Sequence, residues 1–117
     1  MATNANQTPS TKEMVVNIKL THRFDVYIGR SKDQYHFGNP FCHTVTIMPN
    51  TIKTASRDES VRLFSEWLEG KTHQEHEPER RAWILNNIPS LKNKVLGCFC
   101  KPHNSCHGDI LVKLANV

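Results

Sequence analysis

The run Lys94-Val95-Leu96-Gly97-Cys98-Phe99-Cys100 decides the fold of this chain. It is short and apolar, with Lys92-Asn93 before it and Lys101-Pro102 after it, the pattern of a central strand buried on both faces. Cys106-His107-Gly108-Asp109 leads into Ile110-Leu111-Val112-Lys113-Leu114, which reads as a helix from about Gly108 to Asn116. In open α/β sheets the ligand crevice lies beyond the carboxyl ends of the strands, where the next helix offers unpaired amides and the positive end of its dipole. Cys100 ends such a strand, and Cys106, His107 and Gly108 open such a helix, so an anionic or electron-rich ligand is favoured between them.

Three of the four cysteines and two of the seven histidines fall between Cys98 and His107, so any chemistry is expected there. Alternation places Cys98 and Cys100 on one face of the strand and Phe99 on the other. Cys106 has the most reason to ionise, because a helix N-terminus and a neighbouring imidazolium both favour thiolate. Three readings stay open: a catalytic or ligand-facing thiol, a zinc site, and buried structural cysteines. Cys98, Cys100 and Cys106 with His103 or His107 would supply a zinc ligand set. C-x-C on an extended strand suits zinc less well than C-x₂-C, and there is no second paired motif, so no cofactor is expected to be needed for folding.

Upstream, Pro78 suits the first turn of a helix in which Ala82, Trp83, Leu85 and Ile88 form an apolar stripe ended by Pro89. Lys71 to Arg80 is strongly charged and is expected on the surface. Ser56-Arg57-Asp58-Glu59 is a capping box opening an earlier helix, with Val61, Phe64, Trp67 and Leu68 at helical spacing and Gly70 suited to the left-handed residue past its end. Both tryptophans read as core anchors rather than base-stacking platforms. Val15 to Leu20 and Phe24 to Ile28 are β-prone; Gly29 to Ala55 is mostly loop, with a brief strand from His43 to Met48. Strands before, between and beside helices imply an α/β, Rossmann-like, small three-layer fold with a largely parallel sheet.

A chain of 117 residues with 38% apolar and 22% charged residues suits one domain. Met1 to Lys12 has almost no large apolar side chain, so residues 1–13 are expected as a disordered leader and 14–117 as a single α/β domain. No apolar run approaches the ~20 residues that cross a bilayer, and the N-terminus lacks the core of a secretory signal. A cytoplasmic protein with reduced thiols and no membrane partner is therefore expected. The formal charge of +4 is compatible with phosphate-bearing partners, nucleic acid included, although no block of five basic residues occurs.

Four ordered segments resemble a known family: Asp25-Val26-Tyr27-Ile28-Gly29-Arg30, then Gly38-Asn39-Pro40-Phe41, then Ser56-Arg57-Asp58-Glu59, then Gly97-Cys98-Phe99-Cys100-Lys101-Pro102 with Cys106-His107-Gly108-Asp109. Together they are similar to domain-of-unknown-function family 4326 over Val15 to Asn116. The resemblance implies a bacterial or phage chain, with a host cytoplasmic location if phage-encoded, and supplies no activity. The terminal pattern is also similar to domain-of-unknown-function family 488, a likeness that implies a small Rossmann-like fold. Phe99 stands where the first family commonly has tryptophan, the loop after Phe41 is longer, and His103 and Asn104 are extra, which alters the shape of the cleft.

Gly29-Arg30 after a strand puts a guanidinium at a turn, where it suits phosphate or carboxylate. Arg57, a cation in a first helical turn, opposes the dipole unless an anion or an acidic partner compensates. Asn39-Pro40 fixes a turn, and the Asn39 carboxamide can also meet a nucleobase edge. Asp109 suits the dipole and can also accept a proton. His22, His36, His73 and His76 read as loop or surface residues. The combined expectation is a cleft binding a phosphate-bearing nucleotide or nucleoside derivative through Arg30, Asn39, Arg57, Cys98, Cys100 and Gly108. An enzyme built on it would use Cys106 or Asp109 as nucleophile or base and His107 as acid and base, for transfer or hydrolysis at a glycosidic or phosphoryl bond. The rival readings are a zinc-stabilised binding module on Cys98, Cys100, Cys106 and His107, and a phage-type interaction protein acting on a host protein or nucleic acid.

Overall fold

Strand β5, Leu96–Cys98, is buried along its whole length and lies between two parallel neighbours, β1 (Val15–Asn17) and β2 (Val26–Tyr27). The computed structural model describes residues 14–21, 23–31, 33–43, 51–98 and 106–116. Register pairs Val15 with Leu96 and Asn17 with Cys98 on one side, and Val26 with Leu96 and Tyr27 with Gly97 on the other. A second parallel pair, β3 (Phe41–Cys42) and β4 (Ile52–Lys53), precedes helix α1 (Arg57–Leu68). Helix α2 (Pro78–Asn87) continues into a 3₁₀ turn over Ile88–Leu91, and α3 (His107–Ala115) follows β5. The chain is an α/β protein with a small parallel sheet, and no helix among the described residues is long and apolar enough to cross a membrane.

Local chemistry sets the boundaries. β1 stops at Asn17 because the Asn17 carboxamide accepts from Lys19 N at 2.8 Å and turns the chain, leaving Leu20 72% exposed instead of in the expected strand. The stretch from Gly29 to Ala55 is less loop-like than its sequence, since it carries β3 and β4; the strand expected over His43 to Met48 falls almost wholly outside the described residues. The expected leader over residues 1–13 also lies outside them. Ser56 caps α1 by accepting from Glu59 N at 3.1 Å, and Glu59 reaches back to Ala55 N at 2.7 Å, one residue earlier than an ideal capping box. Gly70 adopts φ 79 beyond the helix end, as its position suggests.

The face that α2 and its 3₁₀ extension bury shares Ile88 and, in part, Trp83 with the expected stripe but is centred on Ile84. Arg80, Ile84 and Ile88 point inward at four-residue spacing, while Ala82 and Leu85 are exposed. The expectation of an exposed Lys71 to Arg80 fails at its last residue, because Arg80 finds enough partners inside to offset its desolvation and sits 3% exposed. Trp67 is fully buried, and Trp83 is partly buried with Tyr35 stacked on it at 5.9 Å. The core joins Phe64, Trp67, Ile84, Leu96 and Leu111 with Ile28, Cys98 and Cys106. Gly108 lets α3 approach the sheet: a Cβ there would meet Ile28 Cδ1 at 2.6 Å and Val15 Cγ1 at 3.0 Å.

Candidate functional site

The first turn of α3 is held closed by its own side chains. Cys106 is the N-cap residue; its Sγ accepts from Gly108 N at 3.3 Å, and Asp109 Oδ2 accepts from Cys106 N at 3.1 Å. Cys98, at the end of β5, brings its Sγ to 3.2 Å from Cys106 Sγ. His107 Nε2 lies 2.7 Å from Ile28 O, and a carbonyl only accepts, so Nε2 carries the proton. The lone pair is then on Nδ1, 3.7 Å from Cys106 Sγ. Burial holds the His107 pKa below its ordinary value against the raising effect of the Ile28 bond, and the Phe64 ring meets the imidazole edge-on at 5.2 Å. Neutral imidazole and sulfur thus meet in a dry site, with Cys106 0% and His107 8% exposed.

A second, charged corner begins three residues past β2. The chain runs through Ile28-Gly29-Arg30 and folds back at His36 to Asn39, where Arg30 Nη1 donates to Asn39 O at 3.1 Å. Arg80 enters from α2. Its Nη1 donates to His36 O at 3.1 Å and Gly38 O at 2.6 Å, its Nε and Nη2 take both Glu77 oxygens at 3.2 and 2.9 Å, and its Cζ lies 5.4 Å from the Trp67 ring centre. Glu77, the residue before Pro78, adopts left-handed φ 44 to offer that carboxylate. His76 Nε2 lies 3.2 Å from Glu77 Oε1 without the alignment of a hydrogen bond.

Electrostatics follow from this packing. Burial lowers the Arg30 pKa, and the Arg80 charge lowers it further. His36, whose Nδ1 accepts from Gly38 N at 3.0 Å, is pushed down to about 4 by burial and then by Arg80 and Arg30. Burial works to raise the Glu77 pKa, but the Arg80 guanidinium outweighs it and leaves the carboxyl below its usual value. The corner therefore brings two guanidiniums together, with Glu77 paired to Arg80 and Asp33 also acting on His36, the histidine that is kept neutral.

The remaining expected site residues divide. Asn39 commits its carboxamide internally: Nδ2 donates to Ser60 Oγ at 3.0 Å and Ser60 O at 3.2 Å, and Oδ1 accepts from Phe41 N at 2.9 Å. It fixes the loop that carries Arg30's acceptor. Arg57 opens α1 beside His43, whose pKa it helps burial to lower, with Asp58 and Glu59 in the same turn to offset the dipole. Asp109 is exposed and serves the cap. Cys98, Cys106, His107 and Gly108 gather around Ile28, two residues from Arg30, while Cys100 lies outside the described residues. No group of three His, Cys, Asp or Glu among the described residues is placed to hold a metal ion.

Residues 15–117 match the family described as domain of unknown function (DUF4326). The chain belongs to that family. No curated protein and no solved structure matches it. In this DUF4326 domain the residues that sequence reasoning missed are His36, Glu77 and Arg80. One signal pointed to them: Glu77-Pro78 followed by Arg80 sets opposite charges three apart at a helix start. His36 carried no sequence signal, because its partners come from α2 and the turn at Gly38.

Proposed function

We propose that this DUF4326 protein binds a phosphate-bearing small molecule, in the class of nucleotides and nucleoside derivatives, at the corner built on Arg30. The observation that carries this reading is the convergence of Arg30 and Arg80 on the neighbouring carbonyls of Asn39 and Gly38, where two positive charges act on each other and favour an anion. The corner also follows the carboxyl end of a parallel strand, where open α/β sheets take ligands; that support is fold-level analogy. Arg80 holds the wall, and half-buried Arg30 is the anchor that meets phosphate. The Cys106 and His107 pair is buried, with His107 bonded to Ile28 O, so the reading is one of binding and assigns the thiol no step on the ligand.

Calorimetry and thermal shift with inorganic phosphate, ribose 5-phosphate and nucleoside mono- and diphosphates test it. At least one of these is expected to stabilise the wild-type chain. Arg30→Ala is expected to weaken that binding by about 1.5–3 kcal/mol, the scale of a charge-assisted hydrogen bond, with Arg30→Lys in between. Arg57→Ala should bind as the wild type does. If no phosphate compound binds, or Arg30→Ala binds equally well, the reading fails.

A further inference from the structure

Two sulfurs from separate elements meet in the interior, and the binding corner leaves both unused. Cys98 ends the central strand and Cys106 opens the last helix, with 3.2 Å between their Sγ atoms. Cys106 Sγ is the N-cap acceptor for Gly108 N, at the positive end of α3, where a sulfur anion is stabilised. His107 presents its unprotonated Nδ1 to the same sulfur at 3.7 Å, and Ile28 O fixes that tautomer. An acceptor for the thiol proton, a dipole for the thiolate and a second thiol thus converge on Cys106.

We propose that Cys98 and Cys106 are a reversible dithiol–disulfide pair, in which Cys106 reacts first with a small peroxide and Cys98 resolves the product. The Cys106 proton passes to His107 Nδ1, and the thiolate attacks one peroxide oxygen. The O–O bond breaks, hydroxide leaves and takes up that proton as water, and Cys106 is oxidised to the sulfenic acid. The Cys98 sulfur then attacks the Cys106 sulfur; the S–S bond forms, the S–O bond breaks, and hydroxide departs with the Cys98 proton as a second water. Two thiols and one hydrogen peroxide give one disulfide and two waters. Two equivalents of a small thiol reverse the oxidation by thiol–disulfide exchange. Burial at 2% and 0% exposure restricts the oxidant to a molecule of peroxide size.

Formation of the bond also changes the end of α3. A disulfide sulfur accepts a hydrogen bond more weakly than a thiolate, so oxidation loosens the cap on Gly108 N while tying the helix start covalently to β5. The site acts independently of phosphate binding, and its failure would leave that reading untouched.

The decisive experiment uses the wild-type full chain. It is treated with equimolar hydrogen peroxide in buffer and, separately, in concentrated urea, then alkylated and mapped by peptide mass spectrometry without reduction. The folded chain is expected to give the Cys98 to Cys106 cross-link, removed by dithiothreitol, whereas the unfolded chain gives mixed pairings that include Cys100 and Cys42. A folded chain that remains fully reduced, pairs Cys100 instead, or matches the unfolded distribution overturns the proposal. Order of reaction is read in Cys98→Ser: a dimedone adduct at Cys106 is expected, and an adduct at any other cysteine alone overturns the assignment of Cys106 as first to react.

Discussion

The mouth of α3 and the arginine corner lie two residues apart on the same strand exit, yet they are built on opposite principles. Around Cys106 every polar group is matched by a near neighbour in sequence or by Ile28, and water is excluded. Around Arg80 the carbonyl partners come from a distant loop and join Glu77 three residues away, like charges stand close, and the histidine is held neutral at a cost. Locally satisfied chemistry produces a closed site; chemistry assembled over long range sets like charges close together.

The largest difference should appear on removing the keystone of the charged corner. Arg80→Ala strips Glu77 of its partner, leaves the carbonyls of His36 and Gly38 without their donor and uncovers the Trp67 face, so urea denaturation is expected to show a loss of about 3 kcal/mol or more. A loss below about 1 kcal/mol would mean that the corner is not buried as described.

Acid is the next test. The folded-state pKa of His36 is about 4 against an ordinary 6.5, and that of His107 is also lowered, so the unfolded chain binds more protons than the folded one below pH 6.5. Stability is therefore full above 6.5, falls as pH drops from 6.5 to about 4, and levels off with respect to His36 below that. After discounting for the partial exposure of His36, its share is about 1–2 kcal/mol. His36→Asn, which keeps an acceptor for Gly38 N, should flatten part of this slope in denaturation curves taken across that range. An unchanged slope would shift the acid sensitivity to the α3 side.

Smaller effects are expected at the closed mouth. Gly108→Ala forces a methyl against Ile28 and Val15, and the ~1 kcal/mol gained in helix propensity offsets part of a ~1–3 kcal/mol overpacking cost, for a net loss of about 1 kcal/mol in denaturant titration. Stabilisation instead would show that α3 can withdraw from the sheet. Asp109→Ala removes one reciprocal cap bond from an exposed side chain and should cost about 0.5–1 kcal/mol, with phosphate binding unchanged.

What the sequence disclosed follows the same division. β5, the start of α3, the Ser56 cap and Gly70 were all legible because each depends on neighbours within a few residues or on simple apolar patterning. The gathering of Cys98, Cys106 and His107 could be anticipated from alternation and the strand-to-helix order. The burial of Arg80 could not: hydropathy places arginine outside, and although Glu77 stands three residues away, only the fold brings two loop carbonyls and an indole to it. The short β3 and β4 pair escaped notice because two-residue strands carry too little pattern to separate from a loop.

The position of β5 in the chain has a kinetic consequence. β1 and β2 do not pair with each other; both pair with a strand that is synthesised long after them, with Val15 and Val26 meeting at Leu96. Until that segment leaves the ribosome, the early strands present unmatched backbone edges and the apolar faces of Val15 and Ile28 have no cover from α3. Such late, long-range closure makes folding slow relative to a helical domain of this size and concentrates the aggregation hazard in the interval before the last quarter of the chain arrives.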